Sequence, residues 1–127
     1  MHVLLVDPDT RTVSAHQIEP QLDTTLSLLR CRTITGVRWH GCFIYCDDEG
    51  LFRATDETGR LNMTVLAGAE QPLVGRLLFF GPPTDDGYET DCPLSAHELA
   101  DRITFITAVP PRPEWQFVRF GGSRCTE

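Results

Sequence analysis

The run Trp39-His40-Gly41-Cys42-Phe43-Ile44-Tyr45-Cys46-Asp47-Asp48-Glu49-Gly50 crowds a histidine, two cysteines and three acids together. Those side-chain types could ligate a transition metal. Spacing decides against it. Trp, Phe, Ile, Tyr and Cys dominate the stretch, a β-strand composition, and a strand advances ~3.3 Å per residue. On one strand Cys42 and Cys46 stand about 13 Å apart, whereas two thiolates on one zinc, each at ~2.3 Å, must bring their sulfurs within about 4 Å. His40 and Cys42, about 7 Å apart at Cα on that strand, would need two more ligands from elsewhere. The stretch is expected to be a strand that packs its cysteines, and no metal and no cofactor are expected.

Other constellations are equally bare of catalysis. Cys92 could gain thiolate character at a helix start, but Pro93 and the helix N-terminus separate it in sequence from His97. The acids Asp47, Asp48, Asp85 and Asp86 fall in segments with turn composition, where carboxylates serve turn geometry and solvation. Arg119-Phe120-Gly121-Gly122-Ser123-Arg124-Cys125 has the glycines of a phosphate loop without a following helix. All 11 basic residues are arginine, which excludes a Schiff-base or P-loop lysine. No catalytic residue is assigned.

Those residues belong to a chain of 127 with 41% hydrophobic and 23% charged residues, the balance of one globular domain with one core. Net charge is −7, and the arginines are scattered, so nucleic acid is a disfavoured partner. No apolar run approaches the ~20 residues of a membrane helix. Met1-His2-Val3-Leu4-Leu5-Val6 lacks the basic start of a signal peptide. No membrane partner and a cytoplasmic location are therefore expected, with the five cysteines as reduced thiols.

The elements follow from pattern. Residues 3–6 and 13–18, joined by a turn-rich segment, read as an N-terminal hairpin. Pro20 opens a helix whose Leu22, Leu26 and Leu29 form one stripe, ending near Cys31. Residues 39–46 form a strand, Asp47 to Gly50 a turn, and 51–55 its partner strand. Residues 63–68 suit either a strand or a helical turn. Residues 72–81, the most apolar run, read as one central strand with Gly75 a bulge. Asp86-Gly87 turns the chain into a short acidic partner strand. Ser95 and Glu98 form a capping box, with Leu94 and Leu99 as its hydrophobic staple. From there Leu99, Ile103 and Ile106 predict a helix to about residue 107. Trp115 to Phe120 alternates as an edge strand after a proline-rich joint.

The fold class expected is α+β: a mostly antiparallel, twisted sheet of about six strands with two helices, one compact domain over 1–109 and a proline-led extension over 110–127. In this order, the strand-turn-strand over 43–52, the connector Gly59-Arg60-Leu61-Asn62, the apolar strand over 73–81 and the run over 85–103 resemble a small family of unknown function, DUF3846, of phage- and plasmid-borne proteins. The resemblance covers roughly residues 3–107. It implies a compact α+β domain with a cytoplasmic accessory role and no activity. Arg60 and Asn62 are the pocket residues it suggests.

Two functions are open at this level. One is a non-enzymatic protein that binds a protein partner through an acidic face, with Asp47, Asp48, Asp85, Asp86, Tyr88 and Glu89, or through Trp115 and Phe117 of the C-terminal strand. That strand would also serve pairing into a homodimer. The other is a small-molecule or nucleotide-binding domain with Arg60, Asn62 and Arg76 lining a cleft.

Overall fold

The computed structural model describes residues 1–48 and 60–108. Along them run β1 (His2–Asp7), β2 (Thr12–Gln17), α1 (Leu22–Leu29), β3 (Ile34–Trp39), β4 (Cys42–Asp47), β5 (Leu61–Leu66), β6 (Leu73–Val74), β7 (Leu77–Phe80), α2 (Ala96–Ala100) and β8 (Ile103–Ala108). The described strands form two antiparallel sheets, a larger one in the order β2-β1-β7-β4-β3 and a smaller one in the order β6-β5-β8. An antiparallel α+β fold with two helices is as expected. The single sheet of about six strands is corrected to eight strands in two sheets among the described residues.

The centre of the larger sheet explains its continuous apolar runs. Leu77, Leu78, Phe79 and Phe80 are all fully buried, as are Val3, Leu4 and Val6, because both faces of β1 and β7 are covered. One face meets the smaller sheet and α2: Leu4, Val6, Ile44, Leu77 and Phe79 pack with Leu66, Leu94 and Leu99. The other meets α1: Val3, Leu5, Leu78 and Phe80 pack with Leu29. Each such side chain contributes roughly 2 kcal/mol, so a few of them together match the whole net stability of a domain, about 5–15 kcal/mol.

The run 72–81 is not one strand. Gly75 takes φ +81°, a left-handed conformation that a side chain resists. There the chain leaves β6 in the smaller sheet and enters β7 in the larger one. The stretch 39–46 is also divided. His40 at φ 43° and Gly41 at φ 76° form a two-residue hairpin turn of the kind that needs positive φ at both positions. β3 then pairs with β4, Trp39 opposite Cys42 and Ile34 opposite Asp47. The strand predicted over 51–55 lies outside the described residues, as does the edge strand of the C-terminal extension.

Ser95 caps α2 as its sequence predicts: the Glu98 backbone N–H donates to the Ser95 hydroxyl at 3.1 Å, and the Ser95 N–H to the Glu98 carboxylate at 2.9 Å. The helix nevertheless ends at Ala100, and residues 103–108 form β8. Ile103, Thr104, Ile106 and Thr107 are β-branched, and residue-by-residue pairing with β5 outweighs a helical stripe that a short helix cannot sustain alone. In α1, Leu29 is buried as expected but Leu22 is 61% exposed, and Arg30 closes the helix in the left-handed region at φ 54°. The acidic strand expected after Gly87 reduces to an isolated bridge between Gly81 and Thr90.

Thr64, on β5, is fully buried, and its hydroxyl has no hydrogen-bond partner among the described residues. A buried unpaired polar group costs about 1–3 kcal/mol. Thr64→Val is expected to raise the unfolding free energy by about 1 kcal/mol in urea denaturation; an equal loss would show that the hydroxyl is bonded after all.

Candidate functional site

Two of the three predicted cleft residues, Asn62 and Arg76, bond to different residues of the β1–β2 region. Asp7 ends β1, and its carboxylate accepts from the Asp9 backbone N–H at 3.0 Å, a local bond that fixes the turn. Arg76 Nη2 lies 3.2 Å from Asp7 Oδ2, and Arg76 Nη1 donates to the Leu28 carbonyl at 3.0 Å, in the last turn of α1. Asn62 Nδ2 donates to Asp9 Oδ1 at 2.9 Å, and its Oδ1 accepts from the Thr107 hydroxyl at 2.8 Å. Arg60 is exposed just ahead of β5. The side chains of Asn62 and Arg76 are thus bonded to the protein's own groups. They join β1, α1, β5 and β8, and the arrangement is architectural.

The predicted acids occupy separate places. Asp47 and Asp48 stand at the C-terminal end of β4, Asp47 half-buried and Asp48 exposed. Asp85 and Asp86 are exposed in the turn after β7, which closes through Thr84 N–H to the Tyr88 carbonyl at 2.8 Å. Phe43 pairs with Phe80 and Cys46 with Leu77, so this turn leaves the opposite end of β4. Tyr88 is 72% exposed. Glu89 accepts from the Tyr45 hydroxyl at 2.9 Å, and burial, aided by that bond, pushes the Tyr45 pKa up to about 12. Trp115 and Phe117 lie outside the described residues.

A different concavity forms at the β3–β4 turn. It encloses about 280 Å³ and is lined by Arg38, Trp39, His40, Phe43, Pro82 and Pro83, with Gly41 and Cys42 completing it; none of these residues is acidic. That volume lies just below the roughly 300–1,000 Å³ of ordinary ligand sites. Arg38 and Phe43 are directly paired across the hairpin, which puts both side chains on one face. The Arg38 guanidinium is exposed and makes no hydrogen bond or ion pair among the described residues. Trp39 is buried, and its indole N–H donates to the Ala67 carbonyl at 2.9 Å. Its ring meets Phe79 and His40 edge-on, with centroids 6.0 and 5.0 Å away. The turn is thereby pinned to the smaller sheet. On the other side, the Phe43 ring lies over Gly36 where a β-carbon would stand.

The sequence contained one clue to this groove, the His-Gly pair between two β-like runs. Taken as the interior of a strand, it hid the turn, and nothing local links it to Pro82 and Pro83.

Cys42 and Cys92 are buried and free, and their thiols lie near enough to influence each other. Burial, with nearby Cys92 second, pushes the Cys42 pKa up to about 12; burial also raises those of Cys46 and Cys92. His97 is exposed on α2 and does not join them. Among the described residues no group of three or more His, Cys, Asp or Glu side chains is placed to hold a metal ion, and no helix is long and apolar enough to cross a membrane.

Two outcomes follow from these placements. Arg76→Met should lower stability by about 2–3 kcal/mol, because Asp7 is left partly buried without its partner; an unchanged urea midpoint would release Arg76 from its architectural role. With iodoacetamide at pH 8, Cys42 and Cys92 should be modified only as fast as the protein unfolds, since the thiolate is the reactive form. Rapid native-state modification of Cys42, read by peptide mass, would contradict the burial that raises its pKa.

A family model described as a domain of unknown function, DUF3846, matches residues 1–104. No curated protein and no solved structure matches the chain. The match takes in every described element up to the start of β8, the groove included, and the chain belongs to the DUF3846 family.

Proposed function

We propose that the protein is a non-catalytic binding domain that takes a small anion into the groove at the β3–β4 turn. The observation that carries this reading is the setting of Arg38. In a chain of net charge −7, its guanidinium has no hydrogen-bond or ion-pair partner among the described residues, and it lines a concavity with Phe43, Pro82 and Pro83 whose described lining holds no carboxylate. Concave, largely apolar walls with a few polar groups are the usual form of a ligand site, and a guanidinium is suited to carboxylate or phosphate oxygens. Binding is preferred over turnover because the groove's one thiol, Cys42, has its pKa pushed up to about 12 and stays protonated near neutrality. A thiol in that state is a poor nucleophile.

A second reading keeps the protein partner. Tyr88, a large aromatic at 72% exposure, stands in the same loop as Asp85 and Asp86. Exposed tyrosines are enriched among residues that dominate interfaces. Salt-sensitive capture of one defined protein, lost on Tyr88→Ala, would favour it.

The anion reading is tested by backbone NMR with inorganic phosphate, citrate and benzoate added in turn. At least one should shift the amides of residues 38–43 selectively, and Arg38→Met should weaken that ligand about tenfold, the effect of losing roughly 1.4 kcal/mol. Shifts confined to other regions, or an Arg38→Met variant that binds as before, would refute it.

A further inference from the structure

Resting on the anion reading, we infer that the ligand is a free mononucleotide, a flat heteroaromatic ring that carries a phosphate. The groove has a polar end and a ring-shaped end, and the two are close. Arg38 and Phe43 are cross-strand partners, so both side chains rise from the same face of the hairpin, and both line the groove. Pro82 and Pro83 also line it, two apolar rings without an N–H to offer. An inorganic anion would use the guanidinium and leave those rings unused, and an aliphatic one would gain no stacking on the Phe43 ring.

The Phe43 ring is held ready for stacking. Its tip lies over Gly36, where any side chain would collide with it. Tyr45 supports it edge-on at 5.2 Å and 79°, and Tyr45 is supported in turn by Phe80 at 5.4 Å and 78°. The Tyr45 hydroxyl is tied to Glu89. A ring braced in this way loses little freedom when a base stacks on it, and preorganisation of that kind favours affinity. Stacking on an aromatic side chain is worth about tenfold in affinity or more. It also tolerates different bases, since every base has a flat face.

Size and charge select the free nucleotide over a strand. About 280 Å³ leaves no room for successive bases. A polynucleotide needs a row of cations along its phosphates, while the groove presents Arg38 with His40 beside it on a protein of net charge −7.

The full 127-residue chain is titrated by calorimetry and backbone NMR with adenosine 5′-monophosphate, adenosine, inorganic phosphate and a 5′-phosphorylated oligonucleotide. The monophosphate should bind about tenfold or more tighter than adenosine or phosphate, with shifts at residues 36–43. Arg38→Met should reduce it to the level of adenosine, and Phe43→Leu, its fold checked by thermal melting, to the level of phosphate. If phosphate or citrate binds through Arg38 as tightly as the nucleotide, the mononucleotide inference fails and the anion reading stands. If no anion shifts the groove, both fail. An oligonucleotide bound much more tightly than the monophosphate would also overturn the inference.

Discussion

The contact on which most of the architecture depends is the ion pair between Arg76 and Asp7. Arg76 follows Gly75, the residue that sends the chain from the smaller sheet into the larger, so its side chain arrives at the point where β6 gives way to β7. There it meets the end of β1 through Asp7 and the last turn of α1 through the Leu28 carbonyl. That carbonyl is one of those a helix end leaves without a helical donor, so one guanidinium satisfies a helix terminus and a buried carboxylate together. Asp7 in turn fixes the turn from which Asp9 reaches Asn62 on β5. Each link is a charged or polar group whose partner is also its shelter from desolvation, and the sheets and α1 are registered against one another through this chain of contacts.

The groove is a consequence of that registration at the opposite end of the larger sheet. With β4 locked between β7 and β3, its first residues must follow a tight turn from Trp39, and the two sheets must lie close enough for the Trp39 indole to reach the Ala67 carbonyl. The indole fills the seam between sheets and leaves His40 and Arg38 outside. His40 is held at positive φ, a region seldom adopted by residues other than glycine. The hairpin and the indole anchor over-determine that turn, and strain held by its surroundings is a common property of binding sites.

Much of the fold could be read from local chemistry. The capping box at Ser95, the N-terminal hairpin and the burial of residues 77–80 each follow from a few neighbouring side chains, and each is present. The errors arise where distant residues decide. Leu99, Ile103 and Ile106 satisfy a helical stripe, yet in the fold Ile103 and Phe105 face the core from β8, because β5, some forty residues earlier, offers a ladder that the sequence around 103 cannot reveal. Gly75 is compatible with a bulge or a switch between sheets, and only the presence of a second sheet distinguishes them. The polar residues show the same limit: the carboxylates that engage Arg76 and Asn62, Asp7 and Asp9, lie more than fifty residues away in sequence. Groove residues 38–43 and 82–83 carry no motif, and β4 running beside β7 is what unites them.

The cysteines show why a site rich in reactive residue types need not be reactive. Cys42 opens β4 and contributes to the groove, but alternation along the strand turns Cys42, Ile44 and Cys46 toward the same core as Leu66 and Leu99. In that setting a thiolate would lose its hydration, and burial outweighs the opposing pull of Arg102. Arg102 acts on Cys42 only as the smallest of the influences on its pKa. The neutral thiols therefore prevail and pack as small hydrophobic groups. The same alternation turns Phe43 and Tyr45 the other way, onto the face that carries Arg38. One strand thus separates its side chains by chemistry, burying its sulfurs in one core and turning Tyr45 against the other, while Phe43 reaches the groove.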